Sequence, residues 1–280
     1  MRVVVVIKYD VIKKRSDIFS SLFGISVKEF EDIFHKVEPL WKKSVLDQYK
    51  RPGRFSKNDL SGQILQVLLY YRHYITQEFV GMLFGLNKAN VCRNIKRLEP
   101  ILSQVMSFPK RDNLSPEEIQ DLIIDATENR IERPKKDQKK YYSGKKKCHT
   151  LKTEIRVTKK GRIVHVSETV PGTIHDFTLL EDGEEIPPEI NAIADSGYQG
   201  ILNIHEKSEI PKKKPKGREL TEMEKESNKI LSKVRVIVEN ILGDIKIFRI
   251  MSDRYRNKMI RFNLKFRIIA GIVNMKNGFA

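Results

Sequence analysis

Residues 119–131 read IQDLIIDATENRI. The apolar triplet Leu122-Ile123-Ile124 runs straight into Asp125, and a short apolar run bounded by polar residues predicts a buried strand. A carboxylate at the end of such a strand stands at the rim of a sheet, where α/β folds usually build their sites. Downstream, residues 152–170 alternate through Ile155, Val157, Ile163, Val166 and Val170, with Lys160-Gly161 as a hairpin turn. A second buried strand is predicted over 190–194, ending in Asp195 just before the turn Ser196-Gly197-Tyr198. A long amphipathic helix follows over about 221–247. At about 100° per residue, Ile230, Val234, Ile237, Val238, Ile241 and Ile245 gather on one face, while Glu239 and Lys246 share a polar stripe with Arg235. Strands followed by helices around one sheet predict a mixed α/β domain.

Upstream of residue 110 the periodicity is helical. Ile18, Leu22 and Phe23, then Phe30, Ile33, Phe34 and Val37, flank a break at Gly24. Ser56 is a candidate cap for a helix running to His73, with Leu60, Ile64, Val67, Leu68 and Tyr71 on one face. Residues 76–98, TQEFVGMLFGLNKANVCRNIKRL, have the layout of a helix-turn-helix. Gly81 stands where two helices approach closely, Gly85 and Leu86 make the turn, and Asn87 caps a second helix with Val91, Ile95 and Leu98 inward. Lys88, Asn90, Arg93, Asn94 and Arg97 are then expected to face outward, as residue types that reach base edges and phosphates in a major groove. A plain αα-hairpin would give the same pattern; the basic charge favours DNA. The stretch FPKRDNLSP, 108–116, reads as a linker, giving an all-α region over 1–110 with its helix-turn-helix at about 56–98, and an α/β domain over 117–280. The opening MRVVVVIKYD is either a strand or an irregular extension.

The chain has 280 residues and a formal net charge of +17, an ordinary globular composition without collagen-like, mucin-like or wholly disordered character. No fixed period of a solenoid is present. The charge is concentrated: residues 134–162 hold 12 basic and 2 acidic residues, and residues 245–280 hold 9 and 1. The first run includes Lys145, Lys146 and Lys147 among Tyr141, Tyr142 and His149, a pattern suited to a polyanion such as double-stranded DNA. Cys92 and Cys148 lack CxxC partners, which argues against a disulfide framework or a structural zinc and fits a reducing cytoplasm. The apolar run Val3–Ile7 is too short for a membrane span or a signal core, so a cytoplasmic protein, at the nucleoid when bound to DNA, is expected.

Asp125, Asp195 and Glu239 could together hold hard divalent cations, since Mg²⁺ takes oxygen ligands. Two such ions about 4 Å apart, with Mn²⁺ as the substitute, would activate a water or a 3′-hydroxyl and stabilise the leaving oxygen of a phosphodiester. Taken singly, the two aspartates also read as strand-end turn residues and Glu239 as part of a surface ion-pair ladder. His175-Asp176 reads as a helix start in which Asp176 caps and His175 packs, with support of a metal site as the alternative.

In this order, IIDATENRIERP, YYSGKKKCHTLK, VPGTIHDFTLL, AIADSGYQG and NKILSKVRVIVENILGDIKIF resemble the DDE-class transposases of insertion sequences, in the large group typified by insertion sequence five, from about Phe55 onward. The resemblance implies a ribonuclease-H-like catalytic core, a mixed sheet with flanking helices, preceded by a helix-turn-helix that helps bind terminal inverted repeats. It places the catalytic and metal-holding triad on Asp125, Asp195 and Glu239. Arg235 and Lys246 match the Arg and Lys that the family spaces around its glutamate, where they would contact DNA; the family's tyrosine position is Ser232 here. The loop IPKKKPKG, 210–217, resembles a basic loop that lies near DNA. The implied activity is metal-dependent cleavage and strand transfer at the element's ends, by a homodimer pairing two ends. A catalytically silent DNA-binding descendant and a nuclease that cuts without joining are the alternatives.

Overall fold

The computed structural model describes residues 6–46, 57–108, 119–215 and 217–279. The chain forms two compact units, one of 1–107 with 246–253 and 264–276, the other of 108–245 with 254–263 and 277–280.

The helical unit opens with α1 (Tyr9–Ile12), α2 (Ser16–Phe23) and α3 (Val27–Trp41). Gly24 ends α2 in the left-handed region, φ +76°, which glycine adopts at no steric cost. A capping box then starts α3: the Ser26 side chain accepts from the Glu29 amide, and the Glu29 carboxylate accepts from the Ser26 amide. Helix α4 (Leu60–His73) is buried on every side over 61–71, packed among α2, α3, α5 (Gln77–Phe84) and α6 (Lys88–Val105). Its cap is Asp59, whose Oδ1 accepts from the Gly62 amide at 2.8 Å. That differs from the expected Ser56, which lies outside the described residues, as do residues 1–5 and nearly all of the linker at 109–116.

The second unit is built on β1 (Asp121–Arg130), followed by α7 (Gln138–Tyr141), β2 (Tyr142–Ser143), β3 (Cys148–Thr158), β4 (Ile163–Val166), β5 (Val170–Pro171), α8 (Asp176–Glu181), β6 (Asn191–Ala194), β7 (Ser208–Glu209) and α9 (Glu222–Lys246). The sheet order is β2-β3-β1-β6-β7, with β4 and β5 also paired to β3. β1 runs antiparallel to β3 and parallel to β6. Such a mixed sheet with flanking helices is consistent with the expected ribonuclease-H-like core. The turn from β3 to β4 passes through Gly161 at φ +88°, where the hairpin was expected. Along α9, Val238, Ile241 and Ile245 are buried as expected and Ile230 is exposed; Leu231 and Leu242 are buried as well.

After α9 the chain forms α10 (Arg249–Ser252) and α11 (Phe262–Lys276). By packing, residues 246–253 and 264–276 belong to the helical unit, although in sequence they lie within the stretch 117–280. The cause is visible in the packing. Lys265 of α11 places its ammonium 2.8 Å from the Glu99 carboxylate of α6, both side chains being buried, and Tyr71 of α4 donates to the same oxygen at 2.9 Å. A Cβ at Gly271 would lie 2.5 Å from the Met106 carbonyl oxygen, so α11 also lies against the end of α6. Removing one partner of a buried pair leaves an uncompensated charge. Lys265→Met is expected to destabilise the helical unit by about 3–5 kcal/mol, measured by urea unfolding followed through the fluorescence of Trp41, the single tryptophan.

Candidate active site

Parallel pairing sets the site. Ile124 of β1 stands beside Ala194 of β6, so Asp195, the first residue past β6, comes beside Asp125, which lies inside β1 opposite Ile155 of β3 rather than at the strand end that the sequence suggested. The Asp125 carboxylate accepts from the Ala126 amide at 2.8 Å, and that of Asp195 from the Gly197 amide at 2.6 Å. Beneath them Tyr198 is fully buried in a cluster with Ile124, Leu180, Ala192, Ala194 and Ile201, which fixes the turn that carries Asp195.

A third carboxylate joins them. A Cβ at Gly197 would lie 2.6 Å from Asp176 Oδ2 and 2.8 Å from Asp195 Oδ1, so both carboxylates face the same small space. Asp176 opens α8 without capping it: the cap position is His175, which is exposed and makes no capping bond. The Asp176 Oδ1 instead pairs with the buried Lys152 ammonium at 2.7 Å. This corrects the reading of Asp176 as a cap. Its sequence signal was weak, because an aspartate at a helix start is common for capping reasons alone.

Burial is the main cause that pushes the Asp125 carboxyl up to about 6; the Ala126 amide and the charge of Arg235 oppose it, and the charges of Asp195 and Asp176 add to it. Arg235 is thus close enough to act on Asp125 from α9. One turn further along, Glu239 is more than half exposed, with Arg235 Nη2 3.7 Å from its Oε1. Among the described residues no three His, Cys, Asp or Glu side chains stand close enough to hold an ion as a set. Asp176 and Asp195 thus meet at Gly197, with Asp125 within electrostatic reach of both, and Glu239 is linked to this region through Arg235. Lys246, exposed, ends α9 and falls in the other unit.

In the helical unit the expected helix-turn-helix geometry is present. Thr76 Oγ1 accepts from the Phe79 amide at 3.2 Å, Gly85 ends α5 at φ +65°, and Asn87 Oδ1 accepts from the Asn90 amide at 2.9 Å. A Cβ at Gly81 would lie 2.6 Å from the Leu86 carbonyl oxygen, so only glycine fits there. Lys88 and Arg93 are exposed, and Arg93 donates to the half-buried Asn90. Arg97 is half-buried, its guanidinium 5.9 Å from the Trp41 ring centroid. Asn94 is a correction: it is 8% exposed and donates to Gln66 Oε1 of α4 at 3.0 Å. At about 100° per residue it lies only about 40° from Leu98, inside the inward arc. In the α/β unit, Lys145, Lys146 and Lys147 are exposed on the turn between β2 and β3.

Residues 124–274 match the family of DDE superfamily endonucleases, and residues 59–108 match the helix-turn-helix of DDE superfamily endonucleases. The chain belongs to this DDE superfamily. It is 40% identical, over 91% of its length and 93% of the relative's, to the probable transposase for insertion sequence element IS702 of Microchaete diplosiphon. It is 25% identical to the putative transposase for insertion sequence element IS112 of Streptomyces albus G, over 72% of this chain and 75% of that one. No solved structure matches.

Because folded Asp125 binds its proton more tightly than the unfolded chain does, the stability this contributes is fully present below about pH 4 and is lost as pH rises through about 6. In chelator-treated protein, Asp125→Asn is therefore expected to gain stability relative to the wild type between about pH 4 and 6 and to hold that gain above. Thermal unfolding across this range, on both proteins, measures it.

Proposed function

We propose that this chain is a metal-dependent transposase that cuts and joins DNA at the terminal inverted repeats of an insertion sequence. The observation that carries the reading is the parallel β1–β6 register that sets Asp125 and Asp195 side by side. Their donor set is all carboxylate oxygen, which suits Mg²⁺ or Mn²⁺. Asp125 and Asp195, with Glu239 as the third member, would hold the metal. An ion held by these residues would supply activation of a hydroxyl or water nucleophile and stabilisation of the leaving oxygen of the scissile phosphodiester. Arg235, half-buried beside Asp125, offers a guanidinium that forks onto a phosphate. Lys145, Lys146, Lys147 and Lys246 hold the strand backbone.

The helix-turn-helix supplies binding to the ends. Lys88 and Arg97 neutralise phosphates, while Asn90 and Arg93 read base edges. Two ends must meet in one reaction, so the working form is a homodimer on paired ends, acting where the DNA is, in the cytoplasm and at the nucleoid. No helix of the described residues is long and apolar enough to cross a membrane.

Asp125→Asn, Asp195→Asn and Glu239→Gln are each expected to abolish cleavage and joining in Mg²⁺ or Mn²⁺ while leaving repeat binding within about twofold. Paired terminal repeats with a target plasmid, scored for nicked and joined products, provide the assay. Near-normal cleavage in any one variant removes that residue from the site. Cleavage without joined products would instead identify a nuclease.

Asn90→Ala and Arg93→Ala are expected to weaken specific binding by about 1–3 kcal/mol and to relax preference at single positions. Lys88→Ala should weaken all sequences alike and reduce the salt slope by about one contact. Binding titrations at several salt concentrations separate the two classes.

A further inference from the structure

Both basic concentrations of the chain meet where β1 ends. Ile131, just past that strand, bridges to Tyr255 and donates its amide to the His149 carbonyl of β3. The segment 254–258, with exposed Arg254, Arg256 and Lys258, therefore comes to the same end of the sheet as the β2–β3 hairpin with exposed Lys145, Lys146 and Lys147. On this hairpin Tyr142 opposes His149, the ring centroids 5.6 Å apart and the planes at 75°. So steep a contact engages only an edge, and Tyr142 stays 44% exposed. The hairpin is braced: Thr173 Oγ1 donates to the Lys140 carbonyl at 2.6 Å, and Ser143 Oγ accepts from the Lys146 amide at 3.2 Å. Folding does not account for an aromatic ring held out in water among cations that repel one another, whereas a polyanion carrying rings of its own would satisfy both. The register also relates Tyr142 to Asp125. Asp125 opposes Ile155, six positions along β3 from His149. Side chains an even number of residues apart share a face, so Tyr142 and Asp125 lie on one face of the sheet, about 20 Å apart along β3 at about 3.3 Å per residue.

Resting on the reading of this chain as a DNA-cutting enzyme, we propose that Tyr142, braced by His149, is a stacking platform for an unpaired nucleobase of the DNA whose backbone lies on Lys145, Lys146, Lys147 and the segment 254–258. Every base has a flat π-face, and an aromatic side chain in a positively charged groove holds an unpaired base by that face. The base must be turned out of its helix, because a paired base offers its faces only to its neighbours in the stack. DNA rises about 3.4 Å per nucleotide along one strand, so a strand that follows the sheet face meets Tyr142 about six steps from the phosphodiester at Asp125. Tyr142 touches no reacting atom; it is a positioning residue that fixes where along the strand the cut falls.

The test uses the full-length protein in EDTA, so that nothing is cut, and fluorescence-anisotropy titrations with three synthetic duplexes of one sequence: fully paired, carrying one extra unpaired thymidine, and carrying an abasic nucleotide in its place. The wild type is expected to prefer the unpaired thymidine over the other two by about tenfold or more. Tyr142→Phe keeps that preference, because the ring and not the hydroxyl stacks. Tyr142→Ala and Tyr142→Leu lose it and bind all three duplexes equally; the leucine refills the volume if the alanine variant does not fold, which circular dichroism verifies. Lys145→Ala with Lys146→Ala instead weakens all three duplexes alike and lowers the salt slope by about two contacts. Equal affinity of the wild type for the thymidine and abasic duplexes, or a preference that survives in folded Tyr142→Leu, overturns the proposal and spares the reading of the chain as a DNA enzyme. If the wild type binds none of the duplexes, that reading falls and the proposal with it.

Discussion

The parallel pairing of β1 with β6 is the contact on which the site depends. Parallel neighbours end on the same side of a sheet, so the register Ile124 to Ala194 delivers the two following aspartates together. Had β6 run antiparallel, Asp195 would stand at the opposite end of the strand pair. β1 is central: β3 flanks it on one side and β6 on the other, and Leu122, Ile123 and Ile124 are all buried. A strand paired along both edges and packed on both faces holds its place firmly, because moving it would break two hydrogen-bond ladders and disturb close-packed side chains. The precision of the Asp125 position is therefore supplied by the core.

That same burial gives Asp125 its electrostatic character. A carboxylate removed from water and placed near Asp195 and Asp176 resists ionisation. The cost of crowding negative charge is offset by Arg235 from the helix side and by Lys152 through Asp176. A group so placed gains from any cation that enters. A strongly perturbed carboxylate such as Asp125 is a common mark of functional sites, and membership of the DDE superfamily agrees with that mark.

In the helical unit the central element is α4, enclosed on all sides, and polar groups at its surface are matched by partners: Gln66 to Asn94 and Tyr71 to Glu99. The Glu99–Lys265 pair extends this to α11, which comes from the far end of the chain. The unit that carries the helix-turn-helix is thus completed only once the last helix has been made. The exposed face of α6 keeps Lys88 and Arg93 for DNA, while Asn94 is spent on internal packing.

Local features were legible in the sequence because their physics is local. Caps at Thr76 and Asn87, the tight approach at Gly81, the left-handed turns at Gly85 and Gly161, and the long amphipathic helix before Lys246 all follow from residue type and spacing within a few positions. Asp195 at the end of its strand was legible for the same reason, while Asp125 turns out to lie inside β1, and five ordered motifs were enough to name the family. What only the tertiary structure decided depends on pairings between distant segments. Asp176 reaches the acidic centre because Lys152 on another strand holds it; Asn94 turns inward because Gln66 meets it; residues 264–276 join the helical unit because a buried glutamate on α6 takes their lysine. In each case the sequence offers a polar residue with several possible partners, and a buried polar group is settled by whichever partner the fold brings within hydrogen-bonding distance.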